Sequence, residues 1–145
     1  MDNIIAIIRD KYLSCDKEDV LKHVEDVADI AVRFAKVYNL DVAKLKLAAL
    51  CHDIGGVMTP QEMYDFAIAK GLNIDPAEEK YHALLHQRIS RIMVQEEYGI
   101  TDPDVLNAVE CHTTLRKMRV YMIRSYLLQT KYLGLKKVCL HTMIY

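Results

Sequence analysis

Histidine is the side chain to weigh first, because its imidazole binds divalent metals and changes charge near neutrality; the 145-residue chain carries six. Four stand in telling positions. His23 lies one turn after Val20, His86 one turn before Ile89, and His112 one turn after Ala108 and Val109. His52 is followed at once by Asp53, directly before Gly55-Gly56. Singly, each looks like a hydrogen-bonded residue at the edge of an apolar stripe. Together they place imidazoles toward the interior side of four separate helices, with one carboxylate. Imidazole nitrogen and carboxylate oxygen suit divalent Fe, Mn, Zn or Co, and helical bundles build metal sites in their cores from facing helices. The His-Asp pair has a further logic. Neighbours on a helix diverge by ~100°, so both side chains reach one cavity only where the backbone breaks, and the glycines supply a break.

The elements that must position these groups read as helices. Apolar residues at Val20, Leu21, Val24, Val27, Ala28, Ala31, Phe34, Ala35 and Tyr38 form a single stripe, predicting a helix over about residues 17–38. Asp16 is its expected N-cap, with Glu18 and Asp19 in the first turn, and Asn39 fits a left-handed C-terminal position. A second helix runs from Asp41 to His52, and Gly55-Gly56 should end it because paired glycines cost backbone entropy inside a helix. Thr59-Pro60-Gln61-Glu62 is a capping-box start with proline at the first helical position, and Gly71 stops that helix. Asp75-Pro76 opens another, expected to break near His82 and resume through Leu85, Ile89, Ile92, Met93 and Glu96 before Gly99. Asp102-Pro103 begins the helix that ends at His112. No alternating strand pattern occurs up to Lys117, so the fold class is all-α, a single helical bundle.

Composition excludes other classes. Nineteen Lys and Arg against 20 Asp and Glu leave a net charge of −1, which offers no basic face for nucleic acid. Hydrophobic residues reach 52%, too many for a disordered chain, while no run is apolar for the ~20 residues a bilayer requires. The start, Met1-Asp2-Asn3-Ile4, lacks the basic region and cleavage site of a signal peptide. The expectation is a cytoplasmic protein with neither membrane nor nucleic-acid partner. Cys15, Cys51, Cys111 and Cys139 have no CxxC spacing, so reduced, mostly buried thiols are expected.

The segment Leu47-Ala48-Ala49-Leu50-Cys51-His52-Asp53-Ile54-Gly55-Gly56, preceded by Lys22-His23-Val24, resembles the HD-domain phosphohydrolase superfamily. Leu84-Leu85-His86, Glu96-Glu97-Tyr98-Gly99-Ile100, and Val105-Leu106-Asn107-Ala108-Val109 with Cys111-His112-Thr113-Thr114 resemble one branch of it, the YqeK-like symmetrical bis(5'-nucleosyl)-tetraphosphatases. The resemblance spans about residues 5–117. It implies a divalent-metal cofactor of one or two ions, iron among the candidates, and hydrolysis of diadenosine tetraphosphate to two ADP by a metal-activated water. In such enzymes the first His, the HD pair and a later Asp hold one metal, and two intervening histidines serve a second metal or the phosphates. Carried over by position, His23, His52 and Asp53 would hold the first ion, His52 and Asp53 being the catalytic pair. His86 and His112 would take the intervening roles. Thr113, Thr114, Arg116 and Lys117 are candidates for binding the polyphosphate, or a solvated helix end. His82 falls outside the family's positions and reads as structural or surface; His141 lies outside the resemblance. A homodimer is allowed, though no residue argues for one.

The pattern fails after residue 117. The family continues with a stretch resembling S-L-x-D-K-I-x-x-x-A-D-x-I, which carries the last metal ligand. Met118–Tyr145 contains no Asp and no Glu, only Arg119, Arg124, Lys131, Lys136 and Lys137 as charges. Reverse translation of Met118–Gly134, read two bases later, allows E-S-L-Y-D-K-I-L-F-V-A-D-K-I-S-W. One Asp codon, across Met122 and Ile123, is forced, and a second appears if Gln129 is encoded CAG. The expected organisation is an HD domain over 1–117 and an aberrant tail over 118–145, frameshifted in origin, replacing the family's last helices. Val120, Ile123, Tyr126, Leu127 and Leu133 would give that tail a loose apolar stripe. Two functional readings follow: an active metal-dependent phosphohydrolase, or a catalytically impaired metal- and nucleotide-binding protein lacking the last Asp ligand. A third, a helical interaction domain with incidental histidines, would be indifferent to chelators.

Overall fold

Each of the chain's three prolines occupies the first turn of a helix, immediately after an aspartate or threonine cap. Thr59 accepts a hydrogen bond from the Glu62 amide while Glu62 Oε2 accepts one from the Thr59 amide (2.7 Å). Asp75 and Glu78 make the same reciprocal arrangement, and Asp102 Oδ1 accepts from the amides of Asp104 and Val105. These bonds satisfy orphan amide donors and start the helices where the sequence places them.

The computed structural model describes residues 2–112. Within them run seven helices: α1 (Asp2–Ser14), α2 (Glu18–Val37), α3 (Val42–Cys51), α4 (Pro60–Ala69), α5 (Pro76–Lys80), α6 (His86–Glu96) and α7 (Pro103–Glu110). Two 3-10 turns, Ile54–Val57 and His82–Leu85, follow α3 and α5, and no strand occurs among the described residues. Thr113, Thr114, Arg116, Lys117, Cys139 and His141 lie outside the described residues, as does the expected tail from Met118.

Helix α3 is the central element. Leu45 and every residue from Leu47 to His52 are buried, so its second half is enclosed on all sides, as an interior helix end must be. It packs against α2, α7 and α1, while α6 packs against α7 and against the turn Ile54–Val57. Helix α2 turns Leu21, Val24, Val27, Ala28, Ala31 and Ala35 inward at three- and four-residue spacing. Ile8, Tyr12, Ile54, Leu85, Ile89 and Met93 complete the core. Each such large apolar side chain contributes about 1.5–3 kcal/mol by leaving water.

Three expectations need correction, and one helix has no expectation attached. Helix α1 buries Ile8 and Tyr12; its apolar residues Ile4 to Ile8 run without interruption, so no single face stands out in the sequence. Asp16 is not the α2 cap: it adopts a positive φ of 54°, and Lys17 takes the capping position, because the chain reverses tightly between α1 and α2. Asn39 does adopt the left-handed conformation, φ 52°. Helix α3 ends at Cys51, before the glycines, which lie inside the following 3-10 turn. Of the three described cysteines only Cys51 is buried, Cys15 and Cys111 being partly exposed.

Candidate metal centre

The end of the central helix is itself interior, and there the chain places its His-Asp pair. His52 keeps helical angles as the α3 C-cap, whereas Asp53 leaves the helix at φ −108°, ψ 18°. The break lets consecutive side chains converge: His52 Nε2 lies 3.2 Å from Asp53 Oδ2. Gly55 is required by approach rather than by a left-handed angle. A Cβ there would stand 2.6 Å from the His86 carbonyl oxygen and 3.0 Å from Ser90 Oγ. Bare backbone therefore presses the turn against α6, where the Gly55 amide donates to Ser90 Oγ at 2.9 Å.

Asp53 stands at the middle of four imidazoles. Its Oδ2 faces His52 at 3.2 Å and His23 Nε2 at 3.7 Å; its Oδ1 faces His112 Nε2 at 3.1 Å and His86 Nε2 at 3.6 Å. Two donor groups result, His23–His52–Asp53 and Asp53–His86–His112, each with its ligand atoms within 4.8 Å of one another. The carboxylate is common to both.

The tautomers follow from the backbone. His52 Nδ1 lies 2.6 Å from the Ala49 carbonyl, His86 Nδ1 2.7 Å from the Ala83 carbonyl, and His112 Nδ1 2.7 Å from the Val109 carbonyl. A carbonyl only accepts, so each Nδ1 carries the proton and donates it. Each neutral ring then offers the Nε2 lone pair to the centre. His86 Nε2 and His112 Nε2 are 2.9 Å apart, near enough for both to serve one cation. Converging lone pairs and a carboxylate, with ring nitrogens fixed by carbonyls, are what a divalent cation requires and what a neutral pocket would avoid. The residues fit a metal.

Electrostatics agree. Burial pushes the Asp53 carboxyl up, but the adjoining His112 and His52 imidazoles outweigh it and hold the group far below the usual carboxylate range. It is therefore a carboxylate at any working pH. Burial, then the neighbouring His52, lowers the pKa of His23, whose side chain is 43% exposed; that exposure puts it at the mouth of the site. Behind the site, burial and then the Asp53 charge raise the pKa of Tyr12, whose hydroxyl donates to the Leu50 carbonyl at 3.2 Å.

All five expected ligand residues that fall in the described range are thus brought together. His82 is not among them; it stacks on Tyr64 with ring centroids 4.3 Å apart. The sharing of Asp53 between two donor groups was missed, since nothing in a linear pattern reports it. Ser90 was missed too, although a signal existed: a hydroxyl in the buried stripe Ile89, Met93 and Val94 of α6 invites the question of what it bonds.

The HD domain family model matches residues 20–141, and the chain belongs to that family. The match runs past Lys117 into the segment with no acidic residue. Curated relatives named symmetrical bis(5'-nucleosyl)-tetraphosphatase include one from Halalkalibacterium halodurans, 36% identical over 66% of this chain and 50% of its own length. Another, from Staphylococcus aureus, is 32% identical over 66% of this chain and 48% of its own length. The chain spans about half the length of these curated relatives. A crystal structure from Clostridium acetobutylicum, described as a predicted HD superfamily hydrolase involved in NAD metabolism, superposes with a TM-score of 0.79 and 29% identity. It covers 94% of this chain and 71% of that one. The chain is therefore an all-helical HD-domain protein of hydrolase kinship. No helix among the described residues is long and apolar enough to cross a membrane.

Proposed function

We propose that this protein is a metal-dependent phosphohydrolase that cleaves a nucleotide phosphoanhydride, with diadenosine tetraphosphate as substrate and two ADP as products. The carrying observation is the arrangement around Asp53: one buried carboxylate between two sets of imidazoles, three of them turned by backbone carbonyls so that Nε2 faces inward. His23, His52 and Asp53 would hold one divalent ion, and Asp53, His86 and His112 a second. Bound ions would supply Lewis acidity, lowering the pKa of water and neutralising phosphoryl oxygens. The chain's own part is to fix the donors before substrate arrives, so that little reorganisation accompanies reaction. In the symmetrical reaction water adds at one central phosphorus, the central P–O–P link breaks, and each half leaves as ADP. Thr113, Thr114, Arg116 and Lys117 follow His112 directly and are assigned to the polyphosphate chain on that proximity in sequence.

A second reading is favoured by one observation. Met118–Tyr145 has no Asp or Glu, so that segment supplies no carboxylate to the His23–His52–Asp53 group. A missing ligand removes charge and a coordination position and weakens ion binding. On this reading the chain over 118–145 is a frameshifted replacement, and the protein binds metal and nucleotide with impaired turnover. Sequencing the source gene checks the frameshift; an uninterrupted frame with no alternative reading there removes it. ADP release from diadenosine tetraphosphate with added Mn or Fe, measured beside His52→Ala and Asp53→Ala, separates the two. Turnover abolished by both substitutions supports the hydrolase. Metal uptake without turnover supports the impaired protein.

A further inference from the structure

We propose that Ser90 is a positioning residue of the metal centre, setting the distance between the His-Asp turn and the start of α6. The inference rests on the reading of the site as a metal centre and deepens it. Asp53 and His86 come from segments 33 residues apart, and nothing covalent holds their 3.6 Å separation. Two contacts do. Ser90 Oγ accepts a hydrogen bond from the Gly55 amide at 2.9 Å, and Gly55 lies so close to the His86 carbonyl and to the Ser90 amide that a Cβ would meet them at 2.6 and 3.1 Å. Ser90 is fully buried and sits one helical turn beyond His86. A shift at Ser90 is therefore a shift of His86 relative to Asp53. Without the hydroxyl the Gly55 amide is a buried donor with no acceptor, and the turn moves off α6 in search of one. The Asp53–His86–His112 group opens, while His23–His52–Asp53, built on α2 and the end of α3, does not depend on this contact.

The experiment reads metal, not turnover. Apoprotein is dialysed against a series of buffered free Co²⁺ concentrations, and bound metal is counted by elemental analysis while Co²⁺ absorption reports coordination. Wild type, Ser90→Ala, Ser90→Thr and Val94→Ala are compared; Val94 is a fully buried apolar residue one turn further along α6, with no side-chain hydrogen bond to lose. Ser90→Ala is expected to lower affinity for one ion by about 10- to 100-fold, the range for residues that orient ligands. Ser90→Thr, which keeps the hydroxyl, recovers most of it. Val94→Ala lowers the unfolding temperature by several degrees with ion affinity unchanged. Should Ser90→Ala fail to fold, Ser90→Cys, of similar size but only a weak acceptor, takes its place: it is expected to lose the affinity that Ser90→Thr keeps, and equal affinity in the two overturns the proposal. Equal Co²⁺ affinity in wild type and Ser90→Ala overturns the proposal, as does an equal loss in Val94→Ala. Wild-type protein that takes up no Co²⁺ overturns the metal-centre reading and this inference together.

Discussion

Three of the site's histidines stand where a helix starts or stops, and the fourth stands inside one. His52 caps α3, His86 opens α6 and His112 follows α7 by two residues, whereas His23 is five residues into α2. The difference is chemical. The last four carbonyls of a helix have no intrahelical donor, and Ala49 and Val109 are such residues, so the His52 and His112 rings can donate Nδ1–H to them. His86 uses Ala83 in the 3-10 turn before it. Inside α2 the carbonyls are committed to the helix, and among the described residues the His23 ring has no carbonyl partner. A helix end thus serves twice, giving its orphan acceptor a donor and giving a ligand a fixed tautomer. The lesson is that three donors are held in advance by carbonyls, while the fourth, half exposed at the mouth, lacks that clamp and meets only Asp53 and the edge of the His52 ring among the described residues.

That contrast predicts unequal losses. His112→Gln removes a clamped, buried donor that touches Asp53 and His86. It should lower the rate of phosphoanhydride cleavage by on the order of 10²–10³, the scale seen when a preorganised group at a reacting centre is lost. His23→Gln should cost about tenfold and show mainly as weaker metal affinity. Rates measured at saturating and limiting Mn²⁺ check both. Equal losses would mean that preorganisation at the helix ends contributes nothing beyond ligand count.

Ion binding should also stabilise the fold, because the unfolded chain has no such site. Free Mn²⁺ at 100 times its dissociation constant adds about 2.7 kcal/mol, raising the unfolding temperature by on the order of 10 °C for a domain of this size; chelator removes it. His23→Gln is expected to keep most of this shift and His112→Gln to lose most of it. The reverse order, in differential scanning fluorimetry with and without Mn²⁺, would put the tighter site on the His23 side.

Much of this was legible in the sequence for definable reasons. Proline after a capping side chain marks a helix start by local chemistry alone, and all three such starts stand where expected. The gathering of His23, His52, Asp53, His86 and His112 was legible because apolar stripes fix which face of each helix looks inward. What escaped depends on three dimensions. The Gly55 approach to α6 sets a distance between segments, and no spacing encodes it; paired glycines signal a backbone break, whereas one of them is a contact surface. The tautomers depend on which carbonyls the helix leaves unpaired. Asp16 escaped because a good capping side chain says nothing of the φ that a tight reversal imposes.

The mildest prediction asks whether the far end of α7 matters to the centre. Asp102 caps that helix and pairs with Lys44 Nζ at 2.8 Å. The Lys44 hydrogen bond, then the Val105 amide, hold its carboxyl below the usual range despite slight desolvation. The sign follows. A carboxyl whose pKa is lower in the folded state stabilises the fold fully above its unfolded value, about 3.9, and the contribution fades as pH falls from there through the folded value. Asp102→Ala should therefore lower the unfolding temperature at pH 7, by less than removal of metal does, and the gap from wild type should close below about pH 4. Mn²⁺ affinity at pH 7 should be unchanged, because a frayed first turn leaves the Val109 carbonyl and the His112 ring in place at the other end of α7. A loss of affinity matching that of His112→Gln would show instead that α7 transmits strain along its whole length, and that the clamped histidines are only as fixed as the caps at the opposite ends of their helices.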